Sequence, residues 1–137
     1  MLVAYITFNG NTEEAFNFYK SALGGSLTNL QRISDTPHAA QLPDSEKNKL
    51  MHVTLEAPDG IKLMGNDYMP FTGQPFIAGN NFSLSLHPDS EEKADKLFNA
   101  LSAGGTVIMP MAKVYWGSYF GILIDKFGIQ WLINHQP

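Results

Sequence analysis

Apolar and polar positions alternate along several short stretches of this chain, and such alternation predicts β-strands. The clearest example lies near the end of the sequence, where apolar runs cover residues 120–124 and 129–134. Residues 125–128 separate the two runs and end in Gly128, which can adopt the positive φ that a tight reversal needs. This stretch therefore predicts a β-hairpin, around which the rest of the chain can be interpreted.

The same order of apolar run, glycine turn and apolar run occurs earlier, over residues 52–66. The two turn glycines, Gly60 and Gly128, lie 68 positions apart. At this offset similar residues coincide: Ile61 with Ile129, Leu63 with Trp131, Met64 with Leu132 and Asn66 with Asn134. Because an internal repeat is a strong indicator of fold, the sequence predicts two copies of one supersecondary unit.

Two amphipathic stretches predict helices, one in each half of the chain. Thr12 is expected to cap the first helix by accepting hydrogen bonds from free backbone N–H groups, and acidic residues follow it. Residues 89–92, Asp-Ser-Glu-Glu, predict the start of the second helix. A glycine pair is expected to end each helix, at residues 24–25 and 104–105. Each half therefore corresponds to β-α-β-β-β, and the fold class is α+β with two βαβββ modules.

The remaining stretches complete the predicted organisation. Further strands are expected over residues 2–8, 26–33, 49–57, 61–66, 82–86 and 106–109, with a mobile polar loop over 34–48. We predict a single domain spanning residues 1–137. Its first module covers about residues 1–68, a linker about 69–80, and the second module about 81–137.

Composition excludes several classes of protein. The 137 residues are 44% apolar and 16% charged, as is ordinary for a soluble globular domain. The net charge of −4 and the lack of a basic run argue against a nucleic-acid partner. There is no cysteine, and hence no thiol nucleophile or zinc ribbon. No apolar run approaches the roughly 18 residues of a membrane span, and the N-terminal stretch lacks a basic region, so we expect a cytoplasmic protein without membrane contact.

Strand alternation also predicts which side chains lie under the helices. In each half the helix must cover one face of its sheet, and apolar residues such as Phe82 are expected on that face. The opposite faces can form a shared cup whose mixed lining suits a small organic ligand, although a solvated sheet face alternates in the same way. The polar and apolar residues expected to line the cup are Tyr5, Thr7, His52, Thr54, Glu56, Lys62, Met64, Asn66, Ser83, Ser85, His87, Phe120, Ile122, Ile124, Gln130, Leu132 and Asn134.

Several motifs resemble those of a known family. They are Glu14-Ala-Phe-Asn-Phe-Tyr19, Gly24-Gly25, Met109-Pro110, Trp116-Gly117, Phe120-Gly121 and Asp125-Lys-Phe-Gly-Ile-Gln-Trp131. Over nearly its whole length the chain resembles the PhnB-like branch of the glyoxalase/bleomycin-resistance, or vicinal oxygen chelate, superfamily. The resemblance implies paired modules that form a cup, and commonly a homodimer. The branch often carries a methyltransferase label, but this chain has no glycine-rich nucleotide loop to support methyl transfer.

The resemblance also implies where a metal would bind. In metal-dependent members His or Glu residues from the first and fourth strands of each module hold a divalent ion. Here the corresponding positions carry Tyr5 and Met64 in the first module, and Leu132 on the fourth strand of the second. Thioether and alkyl groups do not hold a hard cation. We therefore expect no cofactor, and leave a divalent metal at a relocated site as the alternative.

We predict a small-molecule-binding protein that lacks the usual metal ligands. The expected ligand contacts are Tyr5, His52, Met64, Trp116, Tyr119 and Gln130. One alternative is a metal-dependent lyase or dioxygenase-type enzyme with a non-standard site around His52 and Glu56, assisted by His87. Another is a protein that sequesters an antibiotic.

Several of the candidate residues could have either a structural or a functional role. His52 is the candidate general base, although a lone histidine on a strand is more often a hydrogen-bonded structural group. The aromatic cluster around Trp116 could close over a ligand or pack in a core or dimer interface. Asp125 is expected to stabilise the hairpin turn. His38 and His135 are expected to be solvent residues.

Overall fold

The chain forms two compact units, Met1–Phe76 and Ile77–Pro137, and the boundary between them falls within the predicted linker. They are seen in a computed structural model that describes residues 1–37 and 39–137; His38, expected to be a solvent residue, lies outside the described residues. Each unit contains one four-stranded sheet and one long helix in the order β-α-β-β-β. The α+β class and the doubled βαβββ pattern are therefore confirmed.

The first unit is built on a mixed sheet with strand order β1-β4-β3-β2. The β1–β4 pair is parallel and the other pairs are antiparallel. Short 3₁₀ turns and the four-residue helix α2 occupy the connection between β2 and β3, where a loop was predicted. The elements are β1 (Ala4–Phe8), α1 (Thr12–Leu23), β2 (Ser26–Arg32), α2 (Asp44–Lys47), β3 (Leu50–Glu56) and β4 (Lys62–Asp67).

The second unit repeats this topology with strand order β5-β8-β7-β6. Its elements are β5 (Leu84–Leu86), α3 (Glu91–Ser102), β6 (Thr106–Lys113), β7 (Tyr119–Ile124) and β8 (Gln130–His135). Phe82 lies before β5 and is 56% exposed, so the prediction that it packs under the helix was wrong. Only three residues of β5 pair with β8, and the chain has not yet joined the sheet at Phe82. Within the described residues, no helix is long and apolar enough to cross a membrane.

Strand register confirms the repeat. In the first sheet Tyr5 pairs with Met64, and in the second Ser85 pairs with Leu132. Met64 and Leu132 are the residues that the 68-position offset matches. The two hairpin turns also close alike, because the N–H of Ala57 donates to Ile61 at 2.9 Å and that of Asp125 donates to Ile129 at 2.8 Å.

Each long helix packs its apolar stripe onto one face of its sheet. In α1 the buried residues Ala15, Phe16 and Tyr19 follow helical spacing, and burying a large apolar side chain contributes about 1.5–3 kcal/mol. The ring of Phe16 lies so close to β4 that a Cβ on Gly65 would be 2.6 Å from it. Phe98 of α3 approaches Gly121 in the same way. Small residues in the sheet therefore let each helix sit close to it.

The start of α1 differs from the predicted cap. Asn11 occupies the N-cap position without a side-chain cap hydrogen bond, and Thr12 is the first helical residue. The Thr12 backbone N–H and hydroxyl both donate to Oδ1 of Asp67, at 3.0 and 2.6 Å. Asp67 thus binds a free N–H of the helix start from 55 positions away. In α3 the cap is local as expected, since Ser90 accepts from the Lys93 N–H at 3.1 Å.

Candidate functional site

The face of the first sheet opposite α1 carries a row of side chains set by strand register. Tyr5 on β1 pairs with Met64 on β4, and Met64 pairs with Thr54 on β3. These three residues therefore lie side by side across three strands. His52 is two residues from Thr54 on the same strand and faces the same side. The structure thus brings together three of the predicted ligand contacts, Tyr5, His52 and Met64.

The imidazole of His52 is hydrogen-bonded on both sides. Its Nδ1 lies 3.3 Å from the Tyr5 hydroxyl, and its Nε2 lies 2.8 Å from the Thr54 hydroxyl. The Tyr5 and His52 rings are 5.7 Å apart between centroids and tilted by 44°. Thr54 is 1% exposed, whereas Tyr5 is 51% exposed. The chain of three groups therefore runs from a buried hydroxyl to a solvent-accessible one.

Two proton arrangements satisfy both hydrogen bonds. In one, the Tyr5 O–H donates to Nδ1 while Nε2–H donates to Thr54; in the other, the Thr54 O–H donates to Nε2 while Nδ1–H donates to Tyr5. Burial raises the pKa of Tyr5, so the phenol is protonated at neutral pH. The exposed end of the chain can consequently present either a donor or an acceptor to a bound molecule.

Charged and amide pairs flank this row. The Glu56 carboxylate lies 3.9 Å from the Lys62 ammonium, its register partner on β4. The Thr7 hydroxyl donates to Asn66 Oδ1 at 2.8 Å. Along β3, Thr54 lies between His52 and Glu56, and each of these two side chains is directed to a different neighbour. The hydroxyl–imidazole chain is therefore the group on this face that is best suited to hydrogen-bond a ligand.

In the second unit the predicted contacts lie in different surroundings. Trp116 is half-exposed in the turn before β7, with its ring 5.6 Å from Phe120 and 5.0 Å from Tyr115. Gln130 is half-buried at the start of β8, where it pairs with Ile124. Two buried side-chain atoms among the described residues have no hydrogen-bond partner, Ser118 Oγ and Asn134 Oδ1. His87 is exposed and bonded to Ser85 at 2.9 Å.

Tyr119 lies on the helix side of the second sheet. Alternation along β7 places it on the same face as the buried residues Gly121 and Leu123. Its hydroxyl donates to Oδ1 of Asp95, on α3, at 2.6 Å. This hydrogen bond and partial burial raise the pKa of Tyr119 to about 12. Tyr119 thus joins α3 to β7, and its hydroxyl is already engaged.

The pKa of Tyr119 predicts a pH-dependent stability. Its folded-state pKa of about 12 exceeds the value of about 10 for an unperturbed tyrosine. The Tyr119–Asp95 bond therefore contributes stability that is fully present below about pH 10 and is lost as the pH rises through about 12. We expect the stability advantage of the wild type over Tyr119→Phe to shrink across this window in urea unfolding curves. Tyr115→Phe, at a residue 97% exposed, should match the wild type throughout; an equal loss in that variant would contradict the assignment.

Two buried aspartates were not recognised as organising residues from the sequence. Asp67 accepts from Thr12 and also from the Leu50 N–H at 2.8 Å. Asp125 does more than stabilise its turn as expected: besides the N–H groups of Phe127 and Ile129 it accepts from the Trp131 indole at 2.8 Å. Period-two alternation carried one residue further along β4 would have placed Asp67 on the helix side. His135, expected in solvent, is half-buried and donates from Nδ1 to the Pro88 carbonyl at 2.9 Å.

The sequence matches the family model described as 3-demethylubiquinone-9 3-methyltransferase over residues 1–134. Protein PA1353 from Pseudomonas aeruginosa, of known crystal structure, is 38% identical, with a TM-score of 0.86 and coverage of 99% of this chain and 97% of that one. A PhnB protein from Bacillus cereus is 24% identical, with a TM-score of 0.77 and 98% coverage of both chains. A glyoxalase/bleomycin resistance protein/dioxygenase family enzyme from Burkholderia phytofirmans is 20% identical, with a TM-score of 0.65 and coverage of 98% and 97%.

Proposed function

Since the chain belongs to the 3-demethylubiquinone-9 3-methyltransferase family, in its PhnB-like branch with the glyoxalase/bleomycin-resistance fold, we propose that it binds a small organic molecule without a metal ion. The binding surface in the first unit is the open face of the sheet around Tyr5, His52 and Met64. The observation that carries this proposal is the hydrogen-bonded chain Tyr5–His52–Thr54, whose Tyr5 and Thr54 are the register partners of Met64 on the two neighbouring strands.

The chemistry of the row suits a neutral ligand with one polar group. The Tyr5 hydroxyl can donate to or accept from that group, and Met64 offers an adaptable apolar contact. The flanking charges of Glu56 and Lys62 lie near each other and partly compensate. Within the second unit, Trp116 and Gln130 remain predicted contacts. Tyr119 is a weaker candidate because its hydroxyl bonds to Asp95.

The metal positions that the resemblance implies do not fit a divalent ion. The register pairs that occupy them are Tyr5 with Met64 and Ser85 with Leu132. A catalytic divalent ion needs three or four converging donors such as imidazole and carboxylate. Among the described residues, no group of three or more His, Cys, Asp or Glu side chains could hold a metal. This supports a site whose polar chemistry comes from hydroxyl and imidazole groups.

Methyl transfer, to which the family description refers, has little support in this chain. The loops that lead from β1 to α1 and from β5 to α3 are Asn9-Gly-Asn11 and His87-Pro-Asp-Ser90. Neither loop contains the glycine-rich pattern that brings a backbone close to a nucleotide-type cofactor. We therefore propose a binding function rather than methyl transfer.

A fragment screen read out on methionine methyl groups tests the proposal. The chain has six methionines, and Met64 reports on the open face. We expect ligands that shift the Met64 methyl resonance to bind about fivefold more weakly to Tyr5→Phe, because one hydrogen bond contributes about 1 kcal/mol. His52→Gln should have a similar or larger effect. Tyr68→Phe removes a hydroxyl that bonds to Gln74 elsewhere in the unit and should leave the affinity unchanged; equal losses in both tyrosine variants would refute the site.

The same preparations separate the competing functions. Titration with Mn²⁺, Co²⁺, Ni²⁺ and Zn²⁺ should show no stoichiometric binding; tight binding that is lost in His52→Ala would instead select the metal-dependent enzyme around His52 and Glu56. Titration with bleomycin distinguishes the sequestering protein, for which tight binding of two molecules per dimer is expected.

We also propose a homodimer, as the resemblance implies. In the second unit β6 is an edge strand, and its residues Val107, Ile108 and Met109 are each about half-exposed. An exposed apolar edge strand is a surface that a second chain commonly covers. Sedimentation velocity of the untagged protein should give twice the monomer mass of 15.1 kDa, and Ile108→Lys should shift it to the monomer. A monomeric wild type would contradict this proposal.

A further inference from the structure

A cavity lies in the first unit, away from the Tyr5–His52 row. It has a volume of about 290 Å³ and is lined by Ile33, Thr36, Gln41, Leu42, Met51 and Phe71. An adjoining cleft of about 280 Å³ shares Ile33, Leu42 and Phe71 and adds Glu46, Met69 and Pro70. Met51 directly precedes His52 on β3, and consecutive strand residues point to opposite faces. The cavity and the proposed binding row therefore lie on opposite sides of the sheet.

The chain builds this cavity from segments that would otherwise be simple connections. The 3₁₀ turns Ile33–Asp35 and Ala39–Gln41 form one side, and the turn Pro70–Thr72 forms another. Ile33, which lines both spaces, and Met69, which lines the adjoining cleft, are buried, whereas Phe71 is 68% exposed. A large aromatic side chain that borders two clefts and remains exposed is a ready contact for an apolar ring.

The polar groups at the cavity favour an uncharged ligand. The Thr36 hydroxyl donates to the Ile33 carbonyl at 2.7 Å, which leaves its oxygen lone pairs to accept from a ligand. Gln41 is exposed at the rim and carries an amide. The carboxylate of Glu46 in the adjoining cleft forms an ion pair with Lys49 at 2.6 Å. A charged ligand would lose its hydration without meeting an unpaired counter-charge there.

We propose that this cavity is a second binding site, for a neutral two-ring aromatic molecule with one hydroxyl group. An apolar cavity of about 150 Å³ holds benzene, so about twice that volume suits two fused rings. Small-molecule sites are typically apolar with few polar groups and begin near about 300 Å³. The ring system would lie between Met51, Leu42 and Phe71, and the ligand hydroxyl would donate to Thr36.

Titration with 2-naphthol, followed by fluorescence and by the methionine methyl spectrum, tests this site. We expect the Met51 and Met69 methyl resonances to shift while that of Met64 stays fixed. The anion 2-naphthoate, which has the same rings, should bind about tenfold more weakly because its charge must be desolvated. In Glu46→Gln, which frees the Lys49 ammonium, that difference should shrink.

Matched phenylalanine variants complete the test. Phe71→Ala should weaken 2-naphthol binding about fivefold or more. Phe76→Ala removes a ring of the same size that contacts Tyr68 and does not line the cavity, so binding should be retained. The site is ruled out if 2-naphthol does not bind up to its solubility, if shifts appear at Met64 rather than at Met51 and Met69, or if both variants lose affinity equally. A shift at Met64 alone would leave the proposed function standing.

Discussion

Replacing Asp67 with alanine is expected to lower the free energy of unfolding by about 4 kcal/mol, because hydrogen bonds to a charged group contribute about 1.5–3 kcal/mol each and orphaned buried donors add to the loss. The Asp67 carboxylate is buried and accepts from the Thr12 N–H, the Thr12 hydroxyl and the Leu50 N–H. These bonds join the end of β4 to the start of α1 and to β3. Urea unfolding monitored by circular dichroism measures the change.

An exposed aspartate supplies the control for Asp67. Asp35 accepts from the Arg32 N–H at 3.0 Å on the surface of the same unit, and Asp35→Ala should cost about 0.5 kcal/mol. Asp67→Asn keeps one acceptor oxygen for Thr12 but turns an N–H group toward Leu50, so we expect an intermediate loss. If Asp67→Ala and Asp35→Ala were equally stable, the carboxylate would not be joining the three elements.

The second large effect is expected for Gly25→Ala, which should lower the free energy of unfolding by about 4 kcal/mol. Overpacking and the positive φ both contribute to this loss. Gly25 has a φ of +89°, and a Cβ there would overlap the Glu56 carbonyl oxygen and lie 2.6 Å from the Ala57 Cα. These are backbone atoms at the end of β3, so they cannot rotate aside. Because Ser26 pairs with Glu56, the added methyl group would push apart the first pair of the β2–β3 ladder. Thermal and urea unfolding of the variant measure the loss.

Alanine substitutions at two other glycines separate the cost of the positive φ from the cost of steric overlap. Gly60 has a φ of +77°, and no neighbouring atom of the described residues lies within 4 Å of the place that a Cβ would take. Gly60→Ala should therefore cost only the backbone preference of about 1–2 kcal/mol. A Cβ on Gly105 would overlap the Ile124 carbonyl oxygen and lie 2.9 Å from the Asp125 Cα; Gly105→Ala thus reports the steric contribution in the second unit. Equal losses for Gly25→Ala and Gly60→Ala would show that close packing at Gly25 is unimportant.

The proposed binding row suggests how positions that hold metal ligands in metal-dependent members can instead form a hydrogen-bonding site. Tyr5 and Met64 occupy neighbouring strands in register, and the His52 imidazole is hydrogen-bonded to the Tyr5 hydroxyl. A tautomer change of this imidazole would exchange the donor and acceptor ends of the chain. In the proposed function, the row would therefore recognise either a donor or an acceptor group through the Tyr5 hydroxyl.

Much of the fold was predictable because it depends on local periodicity. Alternation over β1 placed Ile6 and Phe8 on the buried face and Tyr5 on the open one, as the structure has them. The 68-position repeat predicted that Leu63 and Trp131 occupy equivalent places, and both pair with the first strand of their sheet. Such patterns are visible in sequence since side-chain direction follows directly from residue spacing.

In contrast, tertiary structure decided which hydrogen-bond partner each polar side chain has. Tyr119 was predicted as a ligand contact beside Trp116, but the packing of α3 brings Asp95 within hydrogen-bond distance of its hydroxyl. Tyr5 meets His52 across 47 positions and Thr12 meets Asp67 across 55, and no local pattern records such pairs. By itself the sequence determined the two βαβββ units and the buried face of regularly alternating strands such as β1 and β4. Only the folded chain decided which polar groups satisfy one another, because that depends on strand register and helix placement between residues distant in sequence.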